Sequence, residues 1–598
     1  MSSNLFEGYT MRQFFTVVFG TVVGIFAFFF VLIALFMIIG GIGGALSSMK
    51  AKESYVLSLD LRKGLRDHSS GASVFGASPS SVVDTARALN RAKEDNLIKG
   101  LFIRANQFGM APASSEEIRL AIKDFKSSGK FVITHAQGFE GTSILPYRAV
   151  SASDELWMQD TTGFSVAGIR SESEFYGGVF EKFDAKPQFE QFHEYKNAAN
   201  TYTQTGFTDS HREAATSYLT SLYDGAVEQI AEDRGITVDA VTGVLTSAPH
   251  SAEAALEAKM VDKMGHVEEA REYARKKAGG DAIKFKSVKA YGPGNSYSGS
   301  TIAFIGGQGA VVEGPSSDGT NPFMGGGLTM GGDTLAKAFD DAAKDKRVKA
   351  IVFRVSSPGG SPAASDQIHD AAARAQEAGK PVIISMGQYA ASGGYYVSAN
   401  ADKIVAMPAT ITGSIGVLGG KVALEDTFAK VGYNIEGITI GGDYAGAYSP
   451  DEPFNQGQRA AYRGQLEDIY DDFTSRVAEG RDIPLERVKE IAKGRVWTGT
   501  QAKEIGLVDE LGGIMKAIEV AKEMAEIDAD AKINLKRFPR AKTTSEQLED
   551  LFGGSAQMSE SLAAMNEIMQ LPEVQAAIKA RQATKIGNEL KAELDEIK

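Results

Sequence analysis

A serine followed by two glycines is the feature of this sequence with the clearest chemical use. Ser392 lies in the run Tyr389-Ala-Ala-Ser-Gly-Gly-Tyr-Tyr396, after an apolar segment typical of a buried strand. A nucleophile needs open access to a substrate carbonyl, and glycines remove side chains that would block it. If Ser392 precedes a helix, the amide of Gly393 points at the developing oxyanion. The alternative is a capping serine at a glycine-rich helix start.

Two further clusters of small residues follow apolar runs in the same half of the chain. In Ser356-Ser-Pro-Gly-Gly-Ser-Pro362, the N–H groups of Gly359 and Gly360 can face an anion. Their plain structural interpretation is a tight turn. The other cluster is Thr410-Ile-Thr-Gly-Ser-Ile-Gly416, which contains Ser414.

The general base for such a serine is harder to assign. Beyond residue 300 the sequence has one histidine, His369, on a predicted helix, and nothing places it near Ser392. The sequence therefore gives poor support to a Ser-His-Asp triad within that half of the chain.

The chain contains an internal duplication, which explains where a base can come from. Ile98–Arg104 resembles Val348–Arg354, and at about the same offset Val261-Asp262 matches Val508-Asp509. An offset of about 250 residues that persists over most of both segments indicates two homologous domains.

Each copy alternates short apolar runs with helical patterns, which predicts parallel α/β crossover units. Such folds place their sites where strands end, and the glycine clusters fall there. We predict two domains, over 51–297 and 298–530, and a charged helical tail over 531–598. The predicted strands lie at 101–104, 131–134, 351–355 and 382–385, and the predicted helices at 115–127 and 364–377.

Each copy lacks the chemical groups that the other keeps. Tyr195-Lys-Asn-Ala198 of the first copy matches Tyr444-Ala-Gly-Ala447 of the second, so Lys196 stands opposite an alanine. Conversely, Ser392 and Ser414 match Ile144 and Phe164. One site built from both copies would combine the serine of one with the lysine of the other.

A lysine base must be neutral near pH 7, which requires burial to lower its pKa from about 10.4. The plain alternative for Lys196 is a surface lysine. If Lys196 is not the base, His193, three residues away, is the next candidate.

The composition excludes several classes of protein. The 598 residues are 43% hydrophobic and 23% charged, as in ordinary globular proteins. The absence of cysteine removes cysteine nucleophiles and cysteine metal sites, and a net charge of −13 argues against a nucleic-acid binder. No motif for a metal or a cofactor is present, so we predict none.

The N-terminus predicts a membrane anchor. No charged residue occurs between Arg12 and Lys50, and Phe14–Leu46 is almost wholly apolar, long enough to span a bilayer. We predict an uncleaved transmembrane helix within 1–50. The basic residues that follow lean weakly toward a cytoplasmic body, although long domains translocate largely regardless of such charges.

Together these features resemble the long form of signal peptide peptidase A (protease IV), in the S49 serine peptidase family. The resemblance covers about residues 50–530. It rests on the anchor, the two copies, and four motifs: Ser-Pro-Gly-Gly at 357–360, Ala-Ser-Gly-Gly-Tyr-Tyr at 391–396, Thr-Gly-Ser-Ile-Gly at 412–416 and Tyr-Lys at 195–196.

The resemblance implies a fold similar to the ClpP/crotonase superfamily and an endopeptidase that degrades cleaved signal peptides and other extended apolar peptides. It implies a Ser–Lys dyad, with Ser392 as nucleophile, Lys196 as general base and Ser414 hydrogen-bonded to the lysine. The amides of Gly359 or Gly360, together with Gly393, would form the oxyanion hole.

The resemblance also implies a bowl-shaped homotetramer in a bacterial inner membrane, single-pass, with its catalytic body on the periplasmic side. Two rival functions remain from the residues alone. One is an acyl-CoA enzyme of the crotonase fold, and the other is a non-catalytic membrane scaffold.

Overall fold

The computed structural model describes residues 53–69, 80–294, 299–319 and 327–540. The predicted anchor over 1–50 and the predicted tail from 541 onward lie outside the described residues. Within the part described, no helix is long and apolar enough to cross a membrane.

The first copy is built on a parallel sheet. Its strands are β1 Tyr55–Asp60, β2 Ile98–Arg104, β3 Phe131–Ala136, β4 Glu155–Met158, β5 Gly163–Phe164, β6 Lys186–Phe192, β7 His250–Ser251, β8 Lys263–Met264 and β9 Lys284–Ser287. Its helices are α1 Val82–Glu94, α2 Pro112–Lys126, α3 Ile144–Arg148, α4 Gly177–Phe183, α5 Asn200–Thr203, α6 Asp209–Arg234, α7 Val238–Thr246, α8 Ala252–Glu257, α9 Val267–Ala278 and α10 Val288–Tyr291. The sheet order is β9-β1-β2-β3-β4-β8, and all neighbours are parallel.

The second copy repeats this order. Its strands are β10 Ser300–Gln308, β11 Ala310–Val312, β12 Thr329–Gly331, β13 Val348–Ser357, β14 Val382–Ala391, β15 Lys403–Ala406, β16 Ile411–Gly413, β17 Val417–Ala423, β18 Val496–Thr498, β19 Glu510–Leu511 and β20 Ile533–Phe538. Its helices are α11 Gly332–Lys344, α12 Pro362–Glu377, α13 Gly393–Tyr396, α14 Glu425–Ala429, α15 Gln456–Arg481, α16 Leu485–Ile491, α17 Gly499–Glu504 and α18 Ile514–Met524. The order β20-β10-β13-β14-β15-β19 matches that of the first sheet, and β16 and β18 extend the sheet beside β14.

The strands and helices predicted within the two copies are confirmed, whereas residues 533–538, which the sequence placed in a helical tail, form strand β20. The predicted strands fall within β2, β3, β13 and β14, and the predicted helices coincide with α2 and α12 to within a few residues. These strands are central in their sheets and nearly continuously buried, which is why they appear as unbroken apolar runs. The second sheet extends past the predicted boundary at 530, because β20 pairs with β10.

One continuous core joins the two copies. Residues of α1 and α2 from the first copy pack with α18 against one face of the second sheet, around Ile302, Val352 and Ile383. The other face of the second sheet is covered by α11 and α12. The docking of the copies is therefore a packed interior and not a surface contact.

A two-stranded antiparallel ribbon also crosses between the copies. β6 of the first copy pairs with β17 of the second, from Phe192 opposite Val417 to Lys186 opposite Ala423. Lys196 follows the end of β6 and Ser414 precedes the start of β17. The ribbon therefore brings these two loops to the same place.

Candidate active site

Ser392 lies at the junction between β14 and α13 and has unusual backbone geometry. Its φ of 54° and ψ of −124° fall in a region that few residues other than glycine adopt. The Ser392 amide donates to the carbonyl oxygen of Gly413 at 2.9 Å, while its own carbonyl accepts from Tyr395 and Tyr396. Strained residues of this kind are concentrated at functional sites.

Lys196 reaches the serine from the other copy. Its Nζ lies 3.0 Å from Ser392 Oγ, 3.0 Å from Ser414 Oγ and 2.8 Å from the Ser414 carbonyl oxygen. The lysine is 6% exposed, and this burial lowers its pKa to about 7. A neutral amine donates through its N–H groups to Ser414 and keeps one lone pair for the Ser392 hydroxyl.

Two glycine loops surround the serine. Gly359 has a φ of 107°, and a Cβ there would lie 2.7 Å from Ser392 Cβ and 2.8 Å from Gly393 N. Only glycine permits this approach and this backbone conformation. The Gly359 amide donates to Ser357 Oγ at 3.2 Å, whereas those of Gly360 and Gly393 donate to no residue in the described ranges.

The two histidines considered from the sequence have other surroundings. The His369 ring faces Tyr396 at 5.5 Å, and burial lowers its pKa to about 4. The His193 ring packs edge-on against Tyr470 at 4.9 Å. Neither side chain is hydrogen-bonded to Ser392 in the part of the chain that the structure describes.

The structure reveals a contributor that the sequence analysis missed. Lys493–Arg495, just before β18, lies between the loops that carry Lys196 and Ser414. No local signal points to it, because the contact joins residues about 300 positions apart. Among the described residues, no group of three or more metal-ligating side chains is suited to hold an ion.

The arrangement can perform nucleophilic acyl transfer. The Ser392 hydroxyl is in contact with a buried amine whose pKa is near 7, and Gly359 and Gly360 lie against Ser392 and Gly393. The crotonase-type alternative would use the amides but would leave the Lys196–Ser392 contact without a purpose.

Comparison with known proteins agrees with this chemistry. The family model for peptidase family S49 matches residues 124–280 and 374–528, once in each copy. Protease 4 of Salmonella typhi is 29% identical over 567 residues, covering 89% of this chain and 89% of that protein. The chloroplastic serine protease SPPA of Arabidopsis thaliana is 28% identical over 517 residues, covering 84% and 74%. Protease 4 of Haemophilus influenzae is 28% identical over 478 residues, covering 76% and 74%.

Proposed function

This chain belongs to peptidase family S49 and is a serine peptidase of the signal peptide peptidase A, or protease IV, type, and from that premise we propose that it cleaves peptide bonds with a Ser–Lys dyad. Ser392 is the nucleophile and Lys196 the general base. The observation that carries the proposal is the 3.0 Å distance between Lys196 Nζ and Ser392 Oγ, with the lysine buried.

The reaction starts with proton transfer from Ser392 Oγ to neutral Lys196 Nζ. The oxygen attacks the substrate carbonyl, and the oxyanion accepts hydrogen bonds from the amides of Gly393 and of Gly360 or Gly359. Lys196 then gives the proton to the leaving amine, and water hydrolyses the acyl-enzyme by the same route. Ser414 orients the lysine through its hydroxyl and carbonyl oxygens.

The substrates are extended apolar peptides, cleaved signal peptides among them. An extended peptide adds to a strand edge through its main chain and fills apolar pockets with alternate side chains. Each copy has a ClpP/crotonase-like fold, which is consistent with the shared order of the two parallel sheets. We further propose that the apolar segment within 1–50, which the sequence predicts to span a membrane, anchors the chain in a bacterial inner membrane, with the catalytic body on the periplasmic side.

The chain acts as a homo-oligomer, and the internal duplication indicates how neighbouring chains join. An offset of about 249 residues makes 435–441 the counterpart of β6, and 169–173 falls in the counterpart of β17. Neither segment pairs with a described strand, and Ile438 and Ile440 are 93% and 90% exposed. Pairing 435–441 of one chain with 169–173 of the next is a head-to-tail contact that can close into a ring, such as a homotetramer.

The dyad is tested by labelling the purified full chain in detergent with a fluorophosphonate probe, alongside a β-lactam or peptide aldehyde. Peptide mass spectrometry locates the adduct in the wild type, in Lys196→Ala and in the control Lys337→Ala, which changes an exposed lysine. We expect an adduct on Ser392 that disappears only in Lys196→Ala.

Two other outcomes would contradict the proposal. An adduct retained in Lys196→Ala would point to another base, with His193 next to be tested. If no reagent forms an adduct with protein that is shown to be folded, the result would favour a non-catalytic membrane scaffold instead of a peptidase with this dyad. For the oligomer, Ile438→Asp with Ile440→Asp should lower the mass measured by light scattering, and an unchanged mass would exclude this contact.

A further inference from the structure

The segment Lys493–Arg495, which we call the strap, is hydrogen-bonded to both loops that form the dyad. The Lys493 carbonyl oxygen accepts from the amides of His193 and Tyr195, at 3.2 and 3.1 Å. On the other side, the Gly494 amide donates to the Ile415 carbonyl at 2.7 Å, and the Arg495 carbonyl accepts from the Ser414 amide at 2.7 Å. The strap therefore links the lysine loop of one copy to the Ser414 loop of the other.

The strap touches the backbone of Lys196 itself. Gly494 has a φ of 81°, and a Cβ there would lie 2.5 Å from Lys196 Cβ and 2.6 Å from Lys196 Cα. On the opposite side, a Cβ on Gly416 would lie 2.8 Å from Gly494 Cα. Three backbone segments are stacked here without room for a side chain between them.

Arg495 fastens the strap to the first copy. Its guanidinium forms a two-pronged ion pair with Glu213 of α6. The same group lies 4.9 Å from the Tyr195 ring centre and 4.4 Å from the Trp497 ring centre. A bidentate pair with stacked rings fixes the guanidinium in orientation as well as in position.

We infer that the strap is a positioning element for the base, with Gly494 and Arg495 setting where Lys196 stands relative to Ser392. The inference rests on the proposed function, in which Lys196 is the base. The lysine and the serine come from different copies, so any change in how the two copies dock changes the distance between Lys196 Nζ and Ser392 Oγ. A misplacement of about 1 Å costs roughly 100-fold in rate, and the strap holds that distance from both sides.

The first test changes Gly494→Ala, with Gly379→Ala as its matched control. Gly379 has a similar φ of 75° but only open space where a Cβ would stand, so it carries the same backbone cost without the clash. We expect Gly494→Ala to lower kcat by about 100-fold with little change in KM. The rising limb of kcat against pH should also move above 7, because a displaced lysine is better hydrated. Gly379→Ala should change neither quantity.

The second test changes Arg495→Ala, which introduces no clash. Its control is Asp184→Asn, which breaks another ion pair between the copies, that of Asp184 with Lys430. We expect Arg495→Ala to lower kcat by about 10-fold and to shift the pH limb in the same direction, while Asp184→Asn leaves both unchanged. Thermal unfolding is measured for every variant to show that it is folded. If Gly494→Ala does not fold, the kcat and the pH limb of Arg495→Ala test the role of the strap.

The possible failures are distinguishable from one another. An active Lys196→Ala would overturn the proposed function and the strap with it. An inactive Lys196→Ala, combined with wild-type kcat and pH limb in both strap variants, would overturn the strap alone. A loss of kcat without any movement of the pH limb would also overturn it, because a merely structural role predicts that pattern.

Discussion

The two residues of the proposed dyad are both held in conditions that ordinary folding disfavours. Ser392 adopts a φ of 54°, and Lys196 is buried where an ammonium group is poorly solvated. A residue other than glycine in a sparsely populated backbone region costs about 1–3 kcal/mol. Both features therefore lower stability in exchange for reactivity, as is common at active sites.

Replacing Lys196 by methionine should stabilise the protein at pH 7. Burial lowers the pKa of Lys196 to about 7, so the unfolded chain binds more protons than the folded chain up to about pH 10. The resulting cost at pH 7 is about 4 kcal/mol, and it declines as the pH rises toward 10. Urea unfolding of Lys196→Met and wild type at pH 7 and 9.5 checks this.

One result of comparing Lys196→Met with wild type at the two pH values would contradict this prediction. A gain for Lys196→Met that is equal at both pH values would mean that Lys196 is not neutral when folded. Lys337→Met, which changes an exposed lysine, is the control and should show little difference at either pH.

Peptidase activity should rise with pH through about 7. In the proposed mechanism only neutral Lys196 accepts the proton of Ser392, so the fraction of active enzyme should follow the pKa of the lysine. The profile of kcat/KM on a chromogenic peptide measures this. A flat profile from pH 6 to 9 would contradict the assignment of the base.

Ser414→Ala removes one oxygen at 3.0 Å from Nζ and should lower kcat by about 10-fold or more while leaving the protein folded.

Among the secondary-structure elements, the β6–β17 ribbon matters most for the site. It leaves the body of both sheets and is fastened to α15 by Glu190, which is buried. The Glu190 carboxylate accepts hydrogen bonds from Arg459 at 2.5 Å and from Arg463 at 2.7 Å. The ribbon thus reaches the site as a supported element and not as a free hairpin, which alone would be marginal.

Glu190→Ala should reduce stability by about 1.5–3 kcal/mol, since it removes charge-assisted hydrogen bonds to two arginines. The matched control is Gln191→Ala, because neighbouring side chains of a strand lie on opposite faces. Chemical unfolding measures both. Equal losses in the two variants would show that the ribbon does not depend on its attachment to α15.

In the molecule as a whole, a buried ionic cluster crosses between the copies. Arg354 of β13 is 1% exposed and bonds to Asp67 at 2.6 Å and to Glu117 at 2.7 Å, both from the first copy. Burial alone would raise the pKa of Asp67, but Arg354 and His68 outweigh it and hold that pKa well below its usual range. The two copies therefore form one unit electrostatically as well as through their core.

Arg354→Met should destabilise the protein by about 3–5 kcal/mol at pH 7, because it leaves two buried carboxylates without their partner. The pKa of Asp67 is lowered in the folded state, so its contribution in the wild type is present above about pH 4 and is lost as the pH falls below that. The deficit of Arg354→Met should therefore stay nearly constant from pH 7 to about 4 and shrink as the pH falls from about 4 to about 2.5. Unfolding curves at about pH 7 and about pH 2.5 test this, and a deficit that is equal at both values would show that lost packing, not charge, is responsible.

Much of the fold was predictable because its signals are local. The strands β2, β3, β13 and β14 are apolar runs, and α2 and α12 follow turn residues with a helical pattern. The strand β20 was not predicted, because a strand that pairs at the edge of a sheet after a long helical stretch has no distinctive local pattern. The strap was missed because its role consists entirely of contacts distant in sequence.

The sequence by itself determined which residues are available for the chemistry and in which copy each is found. Because the chain contains two homologous copies that can be aligned with each other, the serine and the lysine stand out as positions where the copies differ. Only the tertiary structure decided that Lys196 Nζ comes within 3.0 Å of Ser392 Oγ and is buried there. Distance and desolvation depend on how the two copies dock, through the ribbon, the strap and the shared core, and no local pattern of residues encodes that geometry.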